Sequence, residues 1–147
     1  MPLHKYPFVR FRYPDGQVDR RGRTCLPILV TNPRTGASAV AWSLVDTGAD
    51  ACLFPAKLAK DLGHDLKGSG VRVSVTSGIE QTEVVIYKHT FRLELLSIDL
   101  KRVVWRSKAM KIDCAESNPP ALLGVDNFLA RFRVTIDYPK EVIRLQW

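Results

Sequence analysis

The sequence predicts an all-β domain with one or two short helices. Turn signals recur at short intervals between apolar runs, as at 13–16 (Tyr-Pro-Asp-Gly) and 32–36 (Asn-Pro-Arg-Thr-Gly). Within several runs apolar and polar residues alternate, which is typical of a strand with one buried and one solvent-facing side. In 91–95 the alternation predicts that Arg92 and Glu94 face solvent. The 147 residues suit one compact domain.

The first half of the chain divides at about residue 24. We expect 1–24 to form an N-terminal arm or edge strand, and 25–147 to form a single domain. The run 26–31 predicts a strand, and the turn at 32–36 separates it from the next one. In 40–44 apolar positions alternate with Ala41 and Ser43, which predicts a half-buried strand that ends at Asp46.

A short helix and a hairpin are expected next. Pro55 can open a helix, Leu58 and Leu62 share one face of it, and Gly63 is a plausible stop. The glycine-rich and charged stretch 63–70 predicts a loop. Alternating valines and isoleucine on both sides of 76–80 then predict a hairpin over 71–86.

The C-terminal half predicts further strands and one more helix. Apolar runs near 103–105 and 110–112 indicate two strands. Past Gly124, the spacing of Val125, Phe128, Leu129 and Phe132 predicts a short helix. Alternation over 132–137, a turn at 138–141 and the run 142–147 predict a closing pair of strands.

The segment 45–50 (Val-Asp-Thr-Gly-Ala-Asp) places a carboxylate on a tight glycine turn at the end of a strand. We expect Gly48 to adopt a backbone geometry that a side chain would obstruct. Two carboxylates about 3 Å apart cannot both ionise, so they share a proton and can act as acid and base. The sequence has one such turn, so a second carboxylate would come from another copy of the chain.

The order of the motifs resembles the retropepsin-like family of aspartic peptidases, whose members are single-lobed and dimeric. The turn at 46–50 is followed by 121–126 (Ala-Leu-Leu-Gly-Val-Asp) and by 134–137 (Val-Thr-Ile-Asp). The resemblance covers about 26–147. It implies a closed, partly orthogonal β-barrel with one lobe per chain. Retroviral members usually follow the glycine of the second motif with arginine, whereas this chain has Val125, as in bacterial and cellular members.

The resemblance also implies roles for the residues of the first motif. Asp46 is the expected catalytic residue, paired with Asp46 of a second subunit. Thr47 is expected to bond across the two-fold axis and, with Gly48, to support the loop. Gly48 would expose its carbonyl to bound peptide, Ala49 would line a pocket, and Asp50 would contact substrate backbone or form a salt bridge.

The predicted hairpin corresponds to the flap, the mobile segment that closes over substrate in this family. Its tip is expected at 76–80, where Ser77, Gly78 and Ile79 would contact the peptide. The segment 122–124 (Leu-Leu-Gly) would pack beneath the catalytic loop, with Gly124 allowing close backbone approach, and Leu122 would also line the cleft. The expected apolar lining, from each subunit, is Leu44, Ala49, Val73, Ile79 and Leu122.

Charge and cysteine content favour neither a nucleic-acid site nor a zinc site. The net charge is +7, but the basic residues are spread along the chain, which favours a solvated surface over a nucleic-acid site. Cys25, Cys52 and Cys114 show no spacing typical of zinc and are expected as reduced thiols, with Cys52 packed as a small apolar side chain. We expect no metal, cofactor, leader or membrane span, and a cytoplasmic location.

The predicted function is a homodimeric aspartic endopeptidase that cuts extended peptide segments, with a pH optimum on the acid side. Two other functions stay open. One is a peptide-binding module of the same fold that does not cleave. The other is a nucleic-acid-binding β-barrel, for which the aromatic and basic run 8–13 offers a weak signal; we favour an interface or flanking strand there.

Overall fold

The computed structural model describes residues 2–68, 70–77 and 83–147. It confirms a nearly all-β fold with one short α-helix. The helix is α1 (Ala56–Asp61), and a 3₁₀ turn spans Leu129–Arg131. The strands are β1 (Leu3–Pro7), β2 (Cys25–Thr31), β3 (Ser38–Val45), β4 (Leu53–Pro55), β5 (Arg72–Ser77), β6 (Glu83–Leu96), β7 (Val103–Arg106), β8 (Met110–Ala115), β9 (Leu122–Leu123), β10 (Arg133–Asp137) and β11 (Val142–Gln146).

The larger sheet closes on itself. Its strands follow the order β2-β3-β9-β4-β8-β6, and β6 pairs back with β2, so the hydrogen-bonded path forms a ring. Most pairings are antiparallel, but β3 with β9 and β4 with β8 are parallel. The interior of the ring is filled by fully buried side chains, the largest being Phe54, Phe91 and Phe128. This closure matches the predicted barrel.

A smaller sheet of three strands, in the order β1-β11-β10, lies against the barrel. Tyr6 on β1 is buried and its hydroxyl donates to the carbonyl oxygen of Leu96 at 2.7 Å. Phe132 contacts Trp105 and Trp147, with ring centroids 5.0 and 5.3 Å apart, and so joins β7 to the small sheet. The small sheet therefore packs directly against the barrel.

The 14-residue strand β6 pairs with four other strands along its length, namely β2, β5, β7 and β8. Its first part pairs with β5, from Arg72 opposite Lys88 to Ser77 opposite Glu83, which forms the predicted hairpin. The predicted tip residues Gly78 and Ile79 lie outside the described residues. No helix in the described part of the chain is long and apolar enough to cross a membrane.

Two local expectations differ from the structure. Glu94 does not face solvent: it is 4% exposed and accepts hydrogen bonds from Arg106 Nε and Nη2 at 3.0 and 2.8 Å. A buried carboxylate is tolerated there because the guanidinium pairs with it. The expected helix past Gly124 is a wide turn, in which Leu129 N–H donates to Gly124 and Ala130 N–H donates to Val125, followed by the 3₁₀ turn.

Candidate active site

Asp46 lies where β3 ends between two neighbouring segments. Its backbone N–H donates to the carbonyl oxygen of Leu123 at 3.1 Å, and the N–H of Val45 donates to that of Thr24 at 2.8 Å. The pairing of Leu44 with Leu122 and of Val45 with Leu123 is parallel. The backbone that carries the carboxylate is therefore held from both sides, as a precisely positioned catalytic group requires.

The Asp46 side chain is half-buried and held in one orientation. Its Oδ1 accepts a hydrogen bond from the N–H of Gly48 at 3.0 Å, and the N–H of Ala49 donates to the Asp46 carbonyl oxygen at 3.2 Å. Oδ2 accepts no hydrogen bond from any residue in the described ranges. One carboxylate oxygen is thus fixed within the turn and the other is available to an external group.

Gly48 does not adopt the special backbone geometry that we expected. Its φ lies outside the left-handed region, and a Cβ built on it would meet only Asp46 Oδ1, at 3.4 Å. A Cβ at residue 48 would therefore clash with nothing in the same chain. The exposed position leaves open space next to the carboxylate.

The backbone of residues 49–50 is held by hydrogen bonds, whereas the side chains of Thr47 and Asp50 form none with the described residues. The carbonyl oxygens of Ala49 and Asp50 accept hydrogen bonds from the N–H groups of Val125 and Asp126, at 2.9 and 2.7 Å. The side chains of Thr47 and Asp50 are exposed. Within 2–68, 70–77 and 83–147, neither side chain has a hydrogen-bonded or ionic partner.

The second motif packs directly against the first. A Cβ at Gly124 would lie 2.3 Å from the carbonyl carbon and oxygen of Ala51, which confirms the predicted close approach. The backbone N–H of Cys52 donates to Asn127 Oδ1 at 2.8 Å, and Gly124 N–H lies 3.4 Å from Cys52 Sγ. Burial raises the pKa of the Cys52 thiol to about 11, so it is inert as a nucleophile at neutral pH.

The structure locates some of the other predicted site residues and leaves two outside the described ranges. Leu44 and Leu122 are half-buried on adjacent strands near Asp46, and Val73 on β5 is exposed. Ser77 is the last residue of β5 and pairs with Glu83, the first residue of β6. Gly78 and Ile79 lie beyond the described ranges, so their predicted contact with substrate stays a prediction.

The sequence did not predict an apolar cavity that lies beside β3. It has a volume of about 520 Å³ and includes Leu44, two residues before Asp46, and Ala121, one residue before Leu122. The N-terminal arm closes one side of it. The other lining residues are Phe11, Arg12, Tyr13, Arg23, Cys25, Trp42 and Pro120. The aromatic and basic run in the arm was the available signal, but it does not reveal which strand the arm covers.

Comparisons with known proteins agree with this geometry. A family model described as aspartyl protease matches residues 35–126, which is more than half of the chain. The crystal structure of a retropepsin-like aspartic protease from Rickettsia conorii is similar to this one, with a TM-score of 0.60, 20% identity, and coverage of 98% of this chain and 91% of that chain. EIAV protease complexed with the inhibitor HBY-793 aligns with a TM-score of 0.51 and 14% identity, over 77% of this chain and 91% of that chain. No curated protein sequence matches the chain. The chain therefore belongs to the aspartyl protease family and has the retropepsin-like fold.

Proposed function

We propose that the protein is an aspartic endopeptidase that acts as a homodimer, with two copies of Asp46 forming one active site. The observation that carries the proposal is the Asp46 loop, held by β2, β9 and the backbone bonds from 125–126, with one carboxylate oxygen free. The described residues contain no second loop of this kind within one chain. A dyad therefore needs a second copy.

The chemistry follows from two carboxylates that face each other across a two-fold axis. They share one proton, because two adjacent negative charges repel. The oxygen of a water between them attacks the carbonyl carbon of the scissile bond as the water loses a proton to the ionised Asp46, while the protonated Asp46 donates its proton to the carbonyl oxygen. The C–N bond then breaks as the nitrogen takes a proton from the dyad and leaves as the amine, and the carbonyl re-forms in the carboxylic acid product. The dyad titrates as a pair, and cleavage should be fastest on the acid side of neutrality.

The exposed side of the loop suits an extended peptide. Open space at Gly48 allows a substrate backbone to approach the carboxylate, and its main-chain groups can bond the peptide. Ala49 and Leu122 would line the floor, and Asp50 would bond the substrate backbone. The β5–β6 hairpin would act as the flap, with Ser77, Gly78 and Ile79 above the peptide.

The apolar cavity next to Leu44 supports a preference for a large apolar or aromatic substrate side chain. Its volume of about 520 Å³ falls within the range of ligand sites. Trp42 and Phe11 offer apolar surface, and Arg12 and Arg23 stand among its lining residues. We propose that the arm contributes to specificity in this way.

The free edge of β10 supports dimer formation. The small sheet ends in β1 on one side and β10 on the other. Proline residues flank and end β1 (Pro2 and Pro7), and proline at a sheet edge discourages pairing with a further strand. The β10 sequence Arg133-Val-Thr-Ile-Asp137 contains no proline and three β-branched residues.

This edge is complementary to itself. If two copies of β10 pair antiparallel with Thr135 opposite Thr135, Arg133 of each copy stands opposite Asp137 of the other. These three side chains share one face of the strand, because strand side chains alternate. Opposite charges at facing positions stabilise a strand pair. We propose that the dimer forms here and joins the small sheets into one of six strands.

All three cysteines are free and buried, which supports a reducing compartment such as the cytoplasm.

Cleavage of a peptide library from pH 4 to 8 tests the function, with the wild type compared with Asp46→Asn. Asp61→Asn is the matched control, since it makes the same chemical change on the exposed face of α1. Sedimentation verifies the dimer in each case. Loss of cleavage in Asp46→Asn alone supports the proposal. Peptide binding without cleavage by a wild-type dimer would instead support the non-catalytic module.

A further inference from the structure

A cavity of about 460 Å³ opens at the root of the β5–β6 hairpin, lined by residues outside the candidate active site. The turn 32–34, the loop residues 64–68 and 70–71 and the strands β6 and β8 form its walls. Basic and imidazole side chains dominate its ionisable groups. Those groups are Arg34, His64, Asp65, Lys88, His89 and Lys111.

Two histidines of this cavity connect the loop to β6 by hydrogen bonds in both directions. His64, from the loop, places Nε2 at 2.9 Å from the carbonyl oxygen of Thr90 on β6. His89, on β6, places Nε2 at 3.0 Å from the carbonyl oxygen of Leu66 in the loop. A carbonyl oxygen only accepts, so each Nε2 carries a hydrogen. In His64 the atom that can gain a further proton is therefore Nδ1. The ring centroids are 4.7 Å apart.

The charges around the imidazoles favour an anion. Arg34 and Lys111 are exposed and have no acidic partner among the residues described in 2–68, 70–77 and 83–147. Lys88 is paired with Asp113 at 2.6 Å. Asp65 is the one acidic residue among the described lining residues. Among the described lining residues, two unpaired cations therefore stand against a single carboxylate, without any contribution from the imidazoles.

We propose that this cavity binds a small anionic ligand that carries a phosphate or carboxylate group, held by Arg34 and Lys111 and, at acid pH, by the protonated ring of His64. The volume lies within the usual range for small-molecule sites. Guanidinium and ammonium groups form charge-assisted hydrogen bonds to both kinds of anion.

The state of His64 makes binding depend on pH. Burial lowers the pKa of His64 from 6.5, the bond to Thr90 partly offsets this, and the nearby charges of His89 and Arg34 lower it further. An anion in the cavity opposes this repulsion and favours the protonated ring. Binding should therefore tighten as pH falls, and bound anion should raise the pKa of His64.

Histidine ring NMR signals provide the test, and they need neither substrate nor cleavage. Inorganic phosphate and citrate are titrated at pH 6 and pH 8, with sodium chloride at matched ionic strength as reference. The variant Arg34→Gln/Lys111→Gln removes both unpaired cations. Lys101→Gln/Arg102→Gln is the control, with the same charge change on exposed residues in the β6–β7 turn.

We expect saturable shifts of the His64 ring with phosphate, citrate or both. Because both ligands lose negative charge between pH 8 and pH 6, the affinities are compared for the fully ionised ligand, and that affinity should be higher at pH 6. The cavity variant should bind at least about tenfold more weakly, and the control should bind like the wild type. Saturation by only one of the two anions identifies the preferred group. Equal shifts with chloride, no saturation at either pH, or unchanged binding in the cavity variant would overturn the proposal.

Discussion

Gly124 and Ala51 lie in direct backbone contact: a Cβ at residue 124 would come within 2.3 Å of the Ala51 carbonyl carbon and oxygen. This contact sets the distance between the 122–126 segment and the Asp46 loop. Because both partners are backbone, no side-chain rotation can relieve a clash there.

Gly124→Ala should therefore unfold the protein more easily and abolish cleavage. The two backbones must separate, which we expect to cost about 2–4 kcal/mol of unfolding free energy. Urea unfolding measures the cost. A variant with wild-type stability would show that the two segments are not in fixed contact.

Gly48→Ala should have the opposite profile. The added methyl group meets only Asp46 Oδ1 in the single chain, so stability should change by less than about 1 kcal/mol, and a gain is possible because alanine restricts the unfolded chain. If substrate backbone occupies the open space, kcat/KM should fall at least about tenfold. Equal kcat/KM for variant and wild type would argue against substrate at this position.

The β10 edge predicts a charge-swap experiment on dimer formation. Arg133→Asp places like charges opposite each other twice per dimer and should weaken dimerisation about tenfold. Arg133→Asp/Asp137→Arg in an Arg144→Gln background, which avoids two like charges where Asp137 pairs with Arg144 at 3.4 Å, restores opposite charges between the strands and should recover most of the affinity. Sedimentation equilibrium at low salt gives the dissociation constants. Failure of the double variant to recover, with both variants folded, would place the dimer contact elsewhere.

His64 predicts part of the pH dependence of stability. Because its pKa is lowered in the folded state, the unfolded chain takes up a proton near pH 6.5 that the folded chain does not. This contribution to stability is present above pH 6.5 and declines as pH falls toward the lowered value. Urea unfolding between pH 7.5 and 5, in a buffer without phosphate or carboxylate, should show a smaller decline for His64→Gln. An unchanged decline would exclude this source.

Local sequence signals predicted the framework of the site well. The alternation before Asp46 indicated β3, and Pro55 with Gly63 bounded α1, where Gly63 adopts a φ of +88°. The Leu-Leu-Gly motif indicated the close approach at Gly124. The first two features depend on neighbouring residues in the chain, which a sequence pattern records directly, whereas the contact of Gly124 with the distant Ala51 was expected from the family resemblance.

Features that depend on distant residues were not predicted. Glu94 alternates as a solvent-facing residue would, yet Arg106 on β7 pairs with it and allows burial. The cavity beside Leu44 needs the arm to fold over β3, and no local pattern indicates that placement. The special backbone geometry expected of Gly48 was wrong, because the turn closes through the Asp46 carboxylate in ordinary backbone geometry.

The most direct test of an active site shared between two copies is a subunit-mixing experiment, in which wild type and Asp46→Asn are unfolded and refolded together at constant total protein so that the subunits pair at random. If one active site needs Asp46 from both copies, only wild-type dimers cleave, and an equal mixture should retain about one quarter of the wild-type activity. Retention of about one half would show that each subunit cleaves independently, and would contradict an active site shared between two copies.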